Sequence, residues 1–188
     1  MGAMENVGNI TYNDEYVPRN ESYTRVKQEN IYNTILHEIS HMWFGNLVTM
    51  EWWDDLWLSE AFATWMEEKV MAAFSPAWGH RIPAAVARDV ALTADGLLTA
   101  RRLHQPIEHV DDIEAAFDDI TYEKGAAVLR MLESWIGPEA MQAGVRAYLA
   151  AHAGGNATSA DFLAAVDAAA PQDVAAVVQP MLDQRGAP

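Results

Sequence analysis

Residues 37–60 of the 188-residue chain read HEISHMWFGNLVTMEWWDDLWLSE, and the interpretation of the whole sequence starts from this stretch. It opens with an H-E-x-x-H motif within a helical pattern. Each residue of a helix turns by about 100°, so His37 and His41 lie roughly 40° apart around the axis. Both imidazoles can therefore reach one metal ion from the same face, and Glu38 is placed to act on a water molecule instead of binding the metal.

Glu60 closes the stretch and lies within the apolar run Leu56–Ala63. An unpaired carboxylate in such a run is costly, whereas a carboxylate that binds a metal is not. With His37 and His41 it completes a set of two histidines and one glutamate. Three such ligands leave the fourth tetrahedral coordination position open for water, as in catalytic zinc sites. The sequence predicts a zinc peptidase with one Zn²⁺ per chain. An exposed His/Glu helix face is the alternative, and manganese or cobalt could occupy the same ligands.

Composition restricts the classes of partner. The chain is 51% hydrophobic, which is enough for a substantial core, and it carries a formal charge of −15. This charge argues against binding of nucleic acid or anionic membranes, both of which require basic surfaces. The sequence contains no cysteine, so disulfides and thiolate chemistry are excluded. We see no secretory leader and no apolar run long enough to span a bilayer, and a cytoplasmic location is the expectation.

The first part of the chain predicts a small β element followed by helices. A strand is expected within Val7–Tyr12, a helix over Ser22–Phe44, an extended segment over Leu47–Trp53 and a second helix over Leu56–Phe74. Gly45 and Asn46 indicate that the first helix ends at Phe44.

The second part is read as almost entirely helical. Residues 94–112 are predicted to be mainly a loop, and Pro180 is expected to shorten the last helix. Further helices or helical turns are predicted at 83–93, 113–117, 121–136, 138–151, 158–169 and from Asp173 onward. The fold class is therefore α+β and mainly helical. One domain spans residues 1–188, with a β element at 1–20 and a helical part of six or seven helices at 21–188.

Four blocks of this sequence resemble the catalytic domain of the M1 zinc aminopeptidases, which are gluzincins with a thermolysin-like fold. Their order and spacing agree with the family, and together they are far more specific than any single block. The blocks are Gly2–Asn6 (GAMEN), His37–His41 with Glu60, Trp57–Ala63 and Ile120–Gly125.

The resemblance implies a role for each motif residue. Glu38 would be the general base, and Tyr122 would donate a hydrogen bond to the carbonyl oxygen of the scissile bond. Glu5 would bind the free α-amine of a peptide substrate, and Gly2–Met4 would lie along that substrate. The expected activity is release of N-terminal residues from peptides, with His37, His41 and Glu60 as the zinc ligands.

Some features depart from the family. Ser59 and Ala61 stand where the family more often has Asn and Gly, and the flanking domains of the family's enzymes are absent from this sequence. The expectation is an isolated, truncated catalytic domain, with possible self-association through an exposed sheet edge. Two other functions stay open at this point, a zinc endopeptidase and a zinc-binding structural or assembly module with little turnover.

Residues around the expected metal site are harder to assign. Metal-bound histidines usually donate their other nitrogen to a carboxylate or a carbonyl. Asp54, Asp55 and Asn46 are the candidates for this role. Histidines outside the motif are predicted to be ordinary surface or loop residues: His80, His104, His109 and His152.

Overall fold

A computed structural model describes residues 2–17, 23–75 and 81–186. The described residues form eight α-helices, four short strands, two short 3₁₀ turns and one π-helical turn. The strands are β1 (Ala3–Met4), β2 (Thr11–Tyr12), β3 (Val48–Met50) and β4 (Gly155–Ala157). The helices are α1 (Arg25–Ser40), α2 (Trp57–Phe74), α3 (Arg81–Asp95), α4 (Val110–Ala115), α5 (Gly125–Ile136), α6 (Pro138–His152), α7 (Ser159–Asp167) and α8 (Val174–Asp183).

The mainly helical character of the chain is confirmed, but the predicted number of six or seven helices is too low. The segment read as a helical turn at 113–117 forms a helix of its own, α4, which starts earlier. Asp112 accepts a hydrogen bond from the backbone N–H of His109, which stabilises the first turn of α4. The thermolysin-like arrangement stays a prediction. No helix within the described ranges is long and apolar enough to cross a membrane.

Helix α1 is shorter than predicted at both ends. Thr24 caps its start by accepting a hydrogen bond from the backbone N–H of Lys27 at 3.3 Å. The helix ends at Ser40, and His41 is its C-cap, still with helical dihedral angles (φ −60°, ψ −19°). The chain then turns through Gly45, whose φ of +123° is a conformation that favours glycine. His41 therefore keeps its place on the helix face although the helix ends four residues before the predicted position.

Helix α2 is the centre of the core. Its first nine residues, from Trp57 to Trp65, are all buried. Phe62 packs face to face with Phe44 (ring centroids 4.7 Å apart) and edge to face with Phe162 (4.9 Å). Such aromatic pairs contribute roughly 0.5–1.5 kcal/mol each beyond their buried area. This packing fixes α2 against the turn that follows α1 and against α7.

The strands differ from the prediction in length and pairing. The first predicted strand is reduced to Thr11–Tyr12, which pairs antiparallel with Ala3–Met4. Strand β3 pairs in parallel with β4, with Val48 opposite Gly155 and Met50 opposite Ala157. Strand β4 lies between two predicted helices, in a segment for which no strand was predicted.

The last two helices begin close to their predicted positions, but the end of α8 differs from the prediction. Thr158 caps α7, and Asp173 caps α8. Helix α8 runs through Pro180 to Asp183, so the predicted shortening at the proline is wrong. Val178 and Leu182, which flank Pro180, are fully buried. Their burial offsets the cost of a proline inside a helix, which is about 3 kcal/mol.

Candidate metal centre

Two histidines and one glutamate meet between α1 and α2. His37 and His41 lie one turn apart on α1, and their ring centroids are 4.7 Å apart. Glu60 lies in the first turn of α2. One of its oxygens, Oε2, is 3.2 Å from Nε2 of His37 and 3.4 Å from Nε2 of His41. Two ligand atoms bound tetrahedrally to one zinc at about 2.0–2.1 Å lie roughly 3.4 Å apart, so these spacings fit a shared zinc ion.

The other ring nitrogens fix the orientation of both imidazoles. Nδ1 of His37 is 2.9 Å from Oε2 of Glu67, and Nδ1 of His41 is 2.9 Å from the carbonyl oxygen of Phe44. Both partners are acceptors, so each Nδ1 carries the proton and donates it. In the neutral rings, each Nε2 then directs a lone pair toward the Glu60 carboxylate. Two lone pairs facing an anion require a cation between them, and a divalent metal meets that requirement.

The pKa shifts of these side chains lead to the same conclusion. Burial lowers the pKa of His37, but hydrogen bonds to Glu60 and Glu67 outweigh it and raise the pKa to about 10. Burial raises the pKa of Glu60, and its hydrogen bonds to His37 and His41 outweigh that effect and lower the pKa to about 2. The site therefore favours positive charge on the imidazole side and an ionised carboxylate.

Glu38 presents a free carboxylate oxygen beside this centre. Its Oε2 is buried and has no hydrogen-bond partner within the described part of the chain. Burial raises the pKa of Glu38, and the nearby histidines partly oppose the shift. Ligand-type atoms of Glu5, Glu38 and His41 all lie within 4.8 Å of one another, so two carboxylates share one small region next to the histidines. A buried acid with an unused acceptor is suited to take up a proton.

Tyr122 approaches the same centre from the π-helical turn Ile120–Lys124. Its ring stacks against His37 with centroids 6.0 Å apart. Burial raises the pKa of the Tyr122 hydroxyl, and a hydrogen bond to Glu60 raises it further. The hydroxyl therefore stays protonated at neutral pH and can serve as a hydrogen-bond donor.

The N-terminal motif residues line the same cleft, which encloses about 530 Å³. The side-chain amide of Asn46 donates a hydrogen bond to the backbone oxygen of Glu5 at 2.8 Å, which ties the motif to the turn after α1. A Cβ on Gly2 would lie 2.8 Å from the ring of Tyr16, so this close approach requires glycine. All nine predicted site residues line this one cleft: Gly2, Ala3, Met4, Glu5, His37, Glu38, His41, Glu60 and Tyr122.

Comparison with known proteins agrees with these features. The peptidase family M1 domain matches residues 1–181. The chain belongs to peptidase family M1. Aminopeptidase M1-D of Oryza sativa subsp. japonica is 37% identical over 188 residues, which are all of this chain and 22% of that protein. Aminopeptidase N of Lactococcus lactis subsp. lactis is 37% identical over 190 residues, again all of this chain and 22% of that protein. Aminopeptidase N of Streptomyces lividans is 43% identical over 176 residues, or 92% of this chain and 20% of that protein. The chain thus spans about a fifth of the length of these relatives.

In this M1 domain, the groups that accept hydrogen bonds from Nδ1 of His37 and His41 are not the ones that were predicted. The imidazoles of His37 and His41 are bonded through Nδ1 to Glu67 and to the Phe44 carbonyl, and not to Asp54, Asp55 or Asn46. Glu67 follows Glu60 by seven residues, which is nearly two helical turns, so both carboxylates lie on one face of α2. This spacing was a usable signal for Glu67. Every residue has a backbone carbonyl, so the sequence gives no signal that the Phe44 carbonyl takes this role.

The histidines outside the motif are a second point of difference. His104 is not an ordinary loop residue, because three aspartates surround it. His80 lies outside the described residues. Within the M1 domain, His104 therefore forms a separate polar cluster.

Proposed function

We propose that this domain is a zinc-dependent aminopeptidase that hydrolyses the first peptide bond of peptides with a free N-terminus. The observation that carries the proposal is the convergence of His37, His41 and Glu60, with the Glu5 carboxylate beside it and with a Glu38 carboxylate oxygen that has no hydrogen-bond partner among the described residues. The M1 membership and the names of the relatives support it. The peptide substrates and the activity itself are part of the proposal.

One zinc ion would be held at this centre by His37 and His41 through Nε2 and by Glu60 through its carboxylate. When bound, zinc supplies a Lewis acid that makes water more acidic and polarises a carbonyl group. The donor set supports zinc, because imidazole and carboxylate are both ligands that it accepts. Glu67 and the Phe44 carbonyl would keep both Nε2 lone pairs directed at the ion.

Glu38 and Tyr122 would carry out the proton transfer and the charge stabilisation. The free Oε2 of Glu38 takes a proton from the attacking water and then gives it to the nitrogen of the departing amine. The Tyr122 hydroxyl donates a hydrogen bond to the carbonyl oxygen as negative charge develops there. Such a donor contributes about 3–4 kcal/mol to transition-state stabilisation.

Glu5 would make the enzyme an aminopeptidase. Its carboxylate lies close to that of Glu38, and two neighbouring anions favour a cation beside them. The protonated α-amine of a substrate is such a cation, and a charge-assisted hydrogen bond would hold it. An internal peptide bond or an acetylated N-terminus offers no positive charge and would leave Glu5 without a partner. Gly2, Ala3 and Met4 would line the bound peptide.

The test is hydrolysis of alanyl, leucyl and lysyl anilides by zinc-loaded protein. We expect turnover that disappears with chelation and falls at least a hundredfold in Glu38→Gln. Glu51→Gln, which changes an exposed glutamate, is the matched control and should keep full activity. An N-acetylated anilide should not be cleaved. Cleavage of that substrate would instead indicate an endopeptidase.

The second candidate function is a zinc-binding module without useful turnover, which needs only the convergence of His37, His41 and Glu60. Stoichiometric zinc binding without anilide hydrolysis would support it. The single thermolysin-like domain over 1–188 and self-association through a sheet edge are further parts of the proposal. Sedimentation velocity over a range of concentrations tests the self-association.

A further inference from the structure

A second cluster of metal-ligating side chains surrounds His104, in the loop between α3 and α4. Asp54 and Asp55 approach it from the 3₁₀ turn Trp53–Asp55, and Asp183 approaches from the end of α8. Ligand-type atoms of Asp54, Asp55 and His104 all lie within 4.8 Å of one another. The backbone N–H of His104 donates to the Leu182 carbonyl at 2.9 Å, which holds the loop against α8.

The His104 ring is oriented in the same way as the two histidines of the first site. Its Nδ1 is 3.1 Å from Oδ1 of Asp183, a carboxylate that can only accept. The proton of a neutral His104 therefore lies on Nδ1. The lone pair on Nε2 then faces Asp54 and Asp55. A lone pair and two carboxylates in contact require a positive charge between them, either a proton on Nε2 or a bound cation.

The distances favour a cation larger than a proton. Nε2 of His104 is 3.5 Å from Oδ2 of Asp54 and 3.9 Å from Oδ1 of Asp55. A protonated imidazole normally makes charge-assisted hydrogen bonds of about 2.7–2.9 Å to carboxylates. The Asp54 distance instead matches the spacing of roughly 3.4 Å between two ligands of one tetrahedral metal ion. The longer Asp55 distance corresponds to a wider angle at the ion.

Asp55 is held rigidly for this role. It is only 5% exposed, and the backbone N–H of Ser159 donates to its Oδ2 at 2.9 Å. The indole N–H of Trp57 donates to its Oδ1 at 3.3 Å, and the Ser159 hydroxyl also donates to that oxygen. Among the described residues, Oδ2 accepts only this one hydrogen bond from the Ser159 backbone and therefore keeps acceptor capacity for a metal ion. The cluster as a whole contains three carboxylates and one imidazole, so its charge attracts cations.

We propose that Asp54, Asp55 and His104 form a second metal site, distinct from the centre of Glu60, that binds a divalent transition metal ion such as zinc. Asp183 is its orienting partner, bonded to the imidazole nitrogen that does not face the ion. The ligands come from the turn that leads into α2 and from the loop after α3, and Asp183 adds the end of α8. A bound ion therefore joins three segments that are distant in sequence, and it stabilises the fold by an amount that rises with the free metal concentration relative to Kd. This inference does not depend on the proposed peptidase activity.

The experiment counts zinc ions and measures their affinities by isothermal titration calorimetry of the full chain at neutral pH. We expect two zinc ions per wild-type chain and one in Asp54→Asn. The same change at the exposed Asp111 is the matched control and should leave two ions bound. Asp183→Asn should keep the second ion but bind it roughly 10–100-fold more weakly, the usual effect of losing an orienting carboxylate.

Two further measurements distinguish the His104 site from the first centre, and a bound metal ion from a proton on His104. His41→Ala removes a ligand of the first centre, and we expect it still to bind one zinc through the His104 site and to show a zinc-dependent rise in Tm. That result would hold even if the peptidase proposal failed. Loss of all zinc binding in His41→Ala, or zinc binding in that variant that Asp54→Asn does not weaken, would overturn the inference. In that case nitrogen-15 NMR showing His104 protonated on both ring nitrogens would identify the proton as the cation.

Discussion

Glu67→Gln tests whether the charge behind His37 strengthens metal binding at the first centre. Glu67 is mostly buried, and its Oε2 accepts a hydrogen bond from Nδ1 of His37 at 2.9 Å. Glutamine has nearly the same shape, and its amide oxygen can accept the same hydrogen bond without the negative charge. The substitution therefore removes the charge and keeps the orientation of the imidazole.

The size of the effect follows from the kind of bond that is lost. A hydrogen bond to a charged group contributes about 1.5–3 kcal/mol, whereas a neutral one contributes about 0.5–1.5 kcal/mol. The difference is about 1.4 kcal/mol, which corresponds to roughly a tenfold increase in the Kd for zinc. This value lies at the lower end of the 10–100-fold range observed when such partners are removed. Glu67→Ala loses the acceptor as well and should fall nearer to the upper end.

The assay is a zinc competition titration against a chelator of known affinity. Glu51→Gln serves as the charge-matched control, because it removes one exposed negative charge and should leave the Kd for the first zinc unchanged. Circular dichroism of each metal-free variant checks that the fold is intact. An unchanged Kd in Glu67→Gln, with the fold intact, would refute the idea that the charge of Glu67 acts through His37.

Three further predictions concern Tyr122, Glu123 and Gly125. Tyr122→Phe should lower kcat by about 10²–10³-fold with little change in KM, because only the transition-state donor is lost; a matching rise in KM would contradict this role. Burial, with Glu68 nearby, raises the pKa of Glu123 to about 6, so its protonated form is favoured in the folded state. This stabilisation is present below pH 4.5 and is lost as pH rises through 6, at about 1 kcal/mol after solvent screening. Glu123→Gln should remove this part of the pH dependence in thermal unfolding, and an unchanged profile would count against it. Gly125→Ala would place a Cβ 2.5 Å from the Cβ of Ala61 and should destabilise the protein by about 1–3 kcal/mol in urea unfolding. Adding Ala61→Gly should restore most of the loss, and a neutral single variant would refute the close approach.

The convergence of His37, His41 and Glu60 was predictable because it depends on local spacing and on one charged residue within an apolar run. His37 and His41 follow the period of a helix, and this period places their rings together whatever the rest of the fold is. Glu60 is conspicuous as the one acid within an apolar run, and the structure places it only 5% exposed. The first signal comes from helix geometry and the second from the cost of burying a charge, and both can be read from the local sequence.

The features that were missed depend on contacts between distant parts of the chain. Strand β4 pairs with β3 across more than 100 residues, and three residues without an alternating pattern give no strand signal. Pro180 was expected to shorten α8, but the burial of its neighbours Val178 and Leu182 overrides the local penalty. His104 was assigned to a plain loop, since the aspartates around it come from two other segments. In each case tertiary packing, which a single sequence does not display, decides the outcome.

Ser59 and Ala61, the two departures from the family pattern, both make close contacts beside the centre formed by His37, His41 and Glu60. The Ser59 hydroxyl is 3.2 Å from Nδ1 of His41 and 3.3 Å from the Phe44 carbonyl oxygen, so it shares the acceptor that orients that imidazole. A Cβ on Gly45 would lie only 2.7 Å from the same hydroxyl. A larger side chain at position 59 would therefore have to move the turn that carries the Phe44 carbonyl. Ala61 makes the corresponding contact on the other side of α2, because its Cβ fills the space that Gly125 leaves open. The spacing of α1 and α5 around α2 thus depends on small residues at positions 45, 59, 61 and 125 taken together.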